Sequence, residues 1–323
     1  MHDDRYYRAS GAVPFGGTLL MILCGGAAAA ALAFAYALLT AFNPFVYLTA
    51  IGTVVFGVGI GGAVVFGAVA GKVRNQVFIV IVALCAALVG LYLTWVFYIP
   101  YILQPILQQL GLPGVPFNFD PEYVFNAIQT LGENGVWTIF GWGPKGWQLY
   151  AFWLVEAAVV LGGAVLVSAT ARNPYCEACS QWTTEEKPIR PLALTDPDRL
   201  RAALEEERYE VLDELRNQDV APENCFRATL YTCPQCIDSD YLTISHVLLT
   251  TSKDGNVQTQ STELIRRLHV PRELVEHLRV ALTDVGPLLP PQEQTAEPND
   301  EQAEATDDGD PLAEGAASAG PSR

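Results

Sequence analysis

Residues 15–39 read FGGTLLMILCGGAAAAALAFAYALL, an apolar run with no Asp, Glu, Lys, Arg or His. About 20 such residues suffice for a helix to cross the ~30 Å hydrocarbon layer of a bilayer. In lipid a run of this kind satisfies its backbone polar groups only as a helix. Residues 45–70, 77–98 and 149–169 repeat the pattern. Four transmembrane helices are therefore expected. Arg5 and Arg8 before the first run imitate a secretory signal, but signal cores are only ~7–15 residues long and another span follows here at once.

Charge separates the chain into two halves. Residues 1–170 hold five basic and six acidic side chains, whereas the other 14 bases and 29 acids lie beyond residue 170. The net charge of −16 thus falls almost wholly on the second half, as for a membrane domain followed by an aqueous one. That acidity excludes nucleic acid as a partner, because phosphate binding depends on Lys and Arg.

Orientation follows from the bases beside the spans. Arg5 and Arg8 precede the first, Lys72 and Arg74 join the second to the third, and Arg172 follows the fourth. Residues 40–44 carry no base and residues 99–148 only Lys145. Four crossings put all the basic stretches on one side, so both termini are expected in the cytoplasm of a multi-pass protein of the cell (inner or plasma) membrane.

Within the second span Gly57 and Gly61, and then Gly67 and Gly71, form Gly-x-x-x-Gly pairs. Small residues at that spacing flatten a helix face so that another backbone approaches closely. The first helix, antiparallel and joined by a short turn at Asn43-Pro44, is the expected partner. Glu156 is the one carboxylate inside a span. It reads as a structural group near the outer interface, hydrogen-bonded to a loop or to Tyr and Trp, with a proton or cation relay as the alternative. Residues 99–110, with Pro100 and Pro105, are expected to extend or kink the third helix. A short helix should then run from Asp120-Pro121-Glu122 to Leu131, stopping at Gly132, followed by a β-like stretch at Trp137 and an aromatic interface belt.

The aqueous half begins with a Cys-x-x-Cys pair, Cys176 and Cys179, and repeats it at Cys233 and Cys236. Two short loops each turning two thiolates toward one point make a tetrahedral zinc donor set. Around them, residues 196–218 read as a helix broken near Glu207. Residues 226–232, 241–250 and 257–265 read as strands, the last two joined by a hairpin turn at Lys253-Asp254-Gly255-Asn256. A final amphipathic helix opens at Pro271 and stops at Gly286. Over residues 174–265 this plan resembles a zinc ribbon, although 53 residues separate the pairs. The resemblance implies one structural zinc held by Cys176, Cys179, Cys233 and Cys236. Cys233-Pro-Gln-Cys236 also resembles the active-site sequence of thioredoxin-like oxidoreductases, in which a helix N-terminus activates the first thiol; a strand-like run follows here instead. Cys225 reads as a core residue. From residue 287 onward nine acids and one base accompany Pro, Ala and Gly, a composition expected to remain disordered.

The resulting expectation is an α-helical membrane domain followed by a small α+β, zinc-ribbon-like cytosolic domain. Its parts are a cytosolic N-terminus (1–14), four transmembrane helices with an extracytoplasmic segment 99–148 (15–170), the zinc-ribbon-like domain with its helical insertion (171–286), and an acidic tail (287–323). The function expected is a non-catalytic assembly or protein-interaction module in the lipid bilayer, engaging a protein partner or further copies of itself. The alternatives are a small transporter or channel using Glu156 and a membrane-bound thiol oxidoreductase.

Overall fold

The computed structural model describes residues 5–42, 46–136, 142–170, 172–186, 191–218, 220–221, 223–251 and 257–282. The turns expected at Asn43-Pro44 and Lys253–Asn256, the stretch at Trp137, the stop at Gly286 and the tail lie outside these residues.

Among the described residues four helices are long and apolar enough to cross a membrane: α1 (Phe15–Phe42), α2 (Val46–Ala70), α3 (Gln76–Gln109) and α5 (Trp147–Ala169). At ~1.5 Å per residue the 34 residues of α3 extend ~50 Å, so the helix continues through Pro100 and Pro105 to a length greater than the ~30 Å of an apolar layer. Between α3 and α5 lies α4 (Pro121–Asn134). The Asp120 side chain caps it by accepting from Glu122 N, and Pro121 occupies its first turn. The helix passes Gly132 and ends at Gly135, where a positive φ of 80° lets the chain turn away.

The glycines of α2 divide between two partners. A Cβ on Gly57 would lie 2.4 Å from the Val160 carbonyl oxygen, and one on Gly61 would lie 2.7 Å from that of Ala164. This pair therefore packs on α5, not on α1. Gly67 and Gly71 make the expected contact with α1, meeting Met21 and Gly17. A stripe of small residues announces a close approach without naming the partner. The order of these contacts shows that α2 is parallel to α5 and antiparallel to α1. Arg74 N donates to Ala12 O at 2.9 Å, and the Arg172 guanidinium to Gln76 Oε1 at 3.0 Å. The start of α1, the α2–α3 turn and the end of α5 thus share one end of the bundle.

At that end stands a small α+β unit. A four-stranded antiparallel sheet runs β3 (Thr184–Glu185), β4 (Asn224–Thr232), β5 (Tyr241–Thr251), β6 (Val257–His269). Burial alternates along β4, placing Phe226, Ala228 and Leu230 in the core. The insertion forms α6 (Pro197–Glu205) and α7 (Glu210–Arg216), broken where Glu207 takes a φ of +63°. With α8 (Arg272–Leu282) they cover the sheet, bringing Leu204, Leu212 and Val275 against it. A two-stranded hairpin, β1 (Tyr175–Cys176) and β2 (Gln181–Trp182), precedes the sheet.

The N-terminal segment belongs to this unit as well. Tyr6 bridges Leu268 on β6, Tyr7 N donates to Arg267 O at 2.9 Å, and His269 N donates to Arg5 O at 2.7 Å. The Tyr6 hydroxyl reaches Glu205 on α6 at 2.5 Å, and its ring packs on the core. Residues before the first helix therefore strap the unit that follows the last one.

Candidate metal centre

Cys176 ends β1 and Cys179 lies in the turn before β2, where Ser180 adopts a φ of +53°. Cys233 directly follows β4, and Cys236 lies in the turn leading to β5. All four sulfurs lie within 4.8 Å of one another, and Cys176 Sγ is 3.5 Å from Cys236 Sγ. Four thiolates ~2.3 Å from a central zinc would stand ~3.8 Å apart, so the cage has the right size for such an ion. The cysteines are free, not disulfide-bonded. Among the described residues this is the group of Cys, His and carboxylate side chains that converges to hold a metal ion.

Donors already point at these sulfurs. Cys179 N lies 3.3 Å from Cys176 Sγ, and the Gln181 amide 3.4 Å from Cys233 Sγ. Burial alone would raise the Cys233 thiol. Hydrogen bonds from Gln181 and from the backbone N–H groups of Gln235 and Cys236 outweigh it and bring the thiol down to about 6. The Cys236 thiol beside Cys179, together with desolvation and the other two sulfurs, pushes Cys179 up to about 12. A bound metal requires all four as thiolates.

Around the sulfurs is a polar shell that sequence reasoning missed. Asp240, fully buried, accepts from Cys233 N at 3.3 Å and pairs with Arg272 Nε at 2.8 Å. The Arg272 guanidinium also donates to the carbonyls of Cys233 and Cys236, at 3.2 and 2.5 Å. Glu186 accepts from Thr232 Oγ1 at 2.7 Å and pairs bidentately with Arg279. Burial raises the Glu186 carboxyl, and these partners more than offset it, holding it below its usual range. The second cysteine loop is thereby tied to α8. No helix begins at Cys233; turns lead from it into β5, unlike the thioredoxin-type site.

The first cysteine loop is tied to the bundle. Trp182 Nε1 donates to Val69 O, near the end of α2, at 2.9 Å. Arg74 pairs with Glu177 and lies 4.4 Å from the centre of the Tyr175 ring, and Tyr175 N donates to the Tyr7 hydroxyl at 3.0 Å. Arg267 donates to Arg172 O.

Cys225, three histidines and Glu156 lie elsewhere. Cys225 is buried in β4, opposite Val247, away from the cage. His246 bonds Asn224, His269 the Asp238 carbonyl, and His277 Asp213. Glu156 accepts from the Tyr36 hydroxyl, which also shares a 2.8 Å bond with Thr53. This is a tyrosine partner of the kind expected, supplied by α1. Compared with protein families, curated proteins and solved structures, the chain matches none.

Proposed function

We propose that Cys176, Cys179, Cys233 and Cys236 hold one structural zinc, and that the zinc-ribbon-like unit they lock is a non-catalytic platform for assembly at a membrane surface. The observation that carries this reading is the position of the four-sulfur cage. One cysteine loop is fastened to the helical bundle through Trp182, Tyr175 and Glu177, and the other to the sheet and α8 through Arg272. A metal joining the loops therefore joins the unit to the bundle. When bound, zinc supplies a rigid tetrahedral crosslink with a net charge of about −2 on four thiolates. Arg272 and the N–H donors around the sulfurs are placed to offset that charge. The platform's occupant would be a protein partner or a second copy of the chain.

Elemental analysis of the full-length protein, purified under reducing conditions, should find close to one zinc per chain. A metal-free protein carrying a Cys233–Cys236 disulfide would replace this reading with thiol redox chemistry.

We assign the platform to the cytosol because Arg5, Arg8, Lys72, Arg74 and Arg172 flank the spans on its side. A reducing compartment also keeps thiols available to metal. Impermeant maleimide applied to intact cells should label Glu133→Cys and spare Lys72→Cys, both exposed positions. The reverse pattern would put the cage outside the cell and remove the reducing environment the assignment needs.

A further inference from the structure

The zinc reading makes no use of the most unusual residue in the helical bundle. Glu156 lies nine residues into α5, ~14 Å from its start at ~1.5 Å per residue. No Lys, Arg or His occurs in any of the four long helices. The groups that meet its carboxyl are Tyr36 from α1, through a hydrogen bond, and Tyr98 from α3, through an electrostatic interaction. From α2 the nearest polar group is Thr53, which does not titrate and is linked through Tyr36. Tyr36 and Thr53 are 4 % and 5 % exposed, and Glu156 itself is half-buried. The Tyr36 hydroxyl engages Oε1.

The surroundings give the residue a mechanical position. Glu156, Val160 and Ala164 follow one another at four-residue spacing on α5, and Thr53, Gly57 and Gly61 do so on α2. Two layers of these stripes are in backbone contact, Gly57 on Val160 and Gly61 on Ala164. The third layer, one turn away, is the polar one, with Glu156 linked to Thr53 through Tyr36. A charge there would sit beside a contact that depends on two helices staying at close range. Desolvating an isolated carboxylate is far costlier than desolvating a neutral acid.

We propose that Glu156 is a proton-binding site whose carboxyl is neutral in the packed bundle, so that release of the proton loosens α5 from the glycine stripe of α2. The ligand is the proton. Oε1 accepts from Tyr36, and the bound proton sits on the carboxyl, to be lost to water when the stripe opens.

The test uses the full-length protein in detergent. A pyrene-labelled carbodiimide reacts with a protonated carboxyl in apolar surroundings and not with a carboxylate. Its adduct should map to the α5 peptide containing Glu156 at the acid end of a pH titration and fall toward background as the pH rises. Over the same titration, the protection factors of amides in α2 and α5, taken relative to the intrinsic exchange rate at each pH, should fall severalfold. Glu156→Gln should abolish both the adduct and the pH dependence of those protection factors. If that variant fails to fold, Tyr36→Phe keeps the question open to measurement, because removing the donor should shift the pH at which the wild-type adduct disappears. Absence of an α5 adduct at every pH would overturn the proposal and show an ionised carboxylate, paired with a cation from elsewhere. An adduct formed equally at both ends of the range would also overturn it, since the proton would never leave.

Discussion

Stripping zinc from the detergent-solubilised protein should collapse amide protection across β4, β5 and β6 and leave the long helices protected. Four thiolates around one zinc contribute on the order of 10 kcal/mol to the folding of small zinc domains. A whole domain is usually stable by only ~5–15 kcal/mol, so the metal is comparable to everything else holding the unit. The sheet does carry a core of its own, with Leu212, Phe226, Leu242 and Val275 buried in it. That core does not reach across the two cysteine loops, however, and between β1–β2 and the β4–β5 turn the sulfurs themselves are in contact. Cys176→Ser and Cys233→Ser should reproduce the effect of chelation, since each removes a charged ligand and leaves three. Cys225→Ser is the control. It exchanges a buried thiol for a hydroxyl away from the cage and should cost about 1–2 kcal/mol with zinc content unchanged. Protection that survives complete metal removal would end the structural-zinc reading.

The same cage shows what a chain can reveal before its fold is known. The cysteines were legible because Cys-x-x-Cys spacing is local chemistry. The long helices were legible because a bilayer imposes a minimum length on any apolar run. Strands β4 and β5 were legible as separate strand-like runs, and α4 through its Asp-Pro start at Asp120. Strands β1, β2 and β3 have two residues each, too few for any period to show. The strap formed by Tyr6 and Tyr7 joins opposite ends of the chain, a distance over which hydrophobic patterning carries no information. Gly57 and Gly61 advertised a close contact, yet their partner turned out to be α5, because a small-residue stripe contains no address. Arg272 did leave a trace. A basic side chain at the first position of α8 opposes the helix dipole, and such a mismatch signals that the residue is held there by something else.

What holds it makes Arg272→Ala the next most damaging substitution expected. Asp240 is fully buried and Arg272 nearly so, at 0 % and 15 % side-chain exposure. Removing one partner of a buried pair leaves the other charge uncompensated, a loss of ~3–5 kcal/mol. The substitution also takes a donor from the carbonyls of Cys233 and Cys236, so the loop that aims both sulfurs loses its tie to α8. Zinc affinity should therefore fall with stability, by ~10–100-fold, as for other groups that orient metal ligands. Arg272→Lys cannot span Asp240 and both carbonyls with a single ammonium and should recover only part of the loss. Arg266→Ala is the comparison that isolates burial. Its partner Glu263 is exposed, and that pair should be worth ~0–1 kcal/mol. Replacing Asp240 and Arg272 together by Leu and Met removes the stranded charge, so the double variant should be more stable than Arg272→Ala alone while zinc stays weakly held. Chemical unfolding followed by exchange of the β4–β6 peptides gives the stabilities, and competition with a chelator gives the affinities. If Arg272→Ala unfolds no more readily than Arg266→Ala and binds zinc as tightly as the parent, the polar shell is ornamental and the sulfurs alone set the cage.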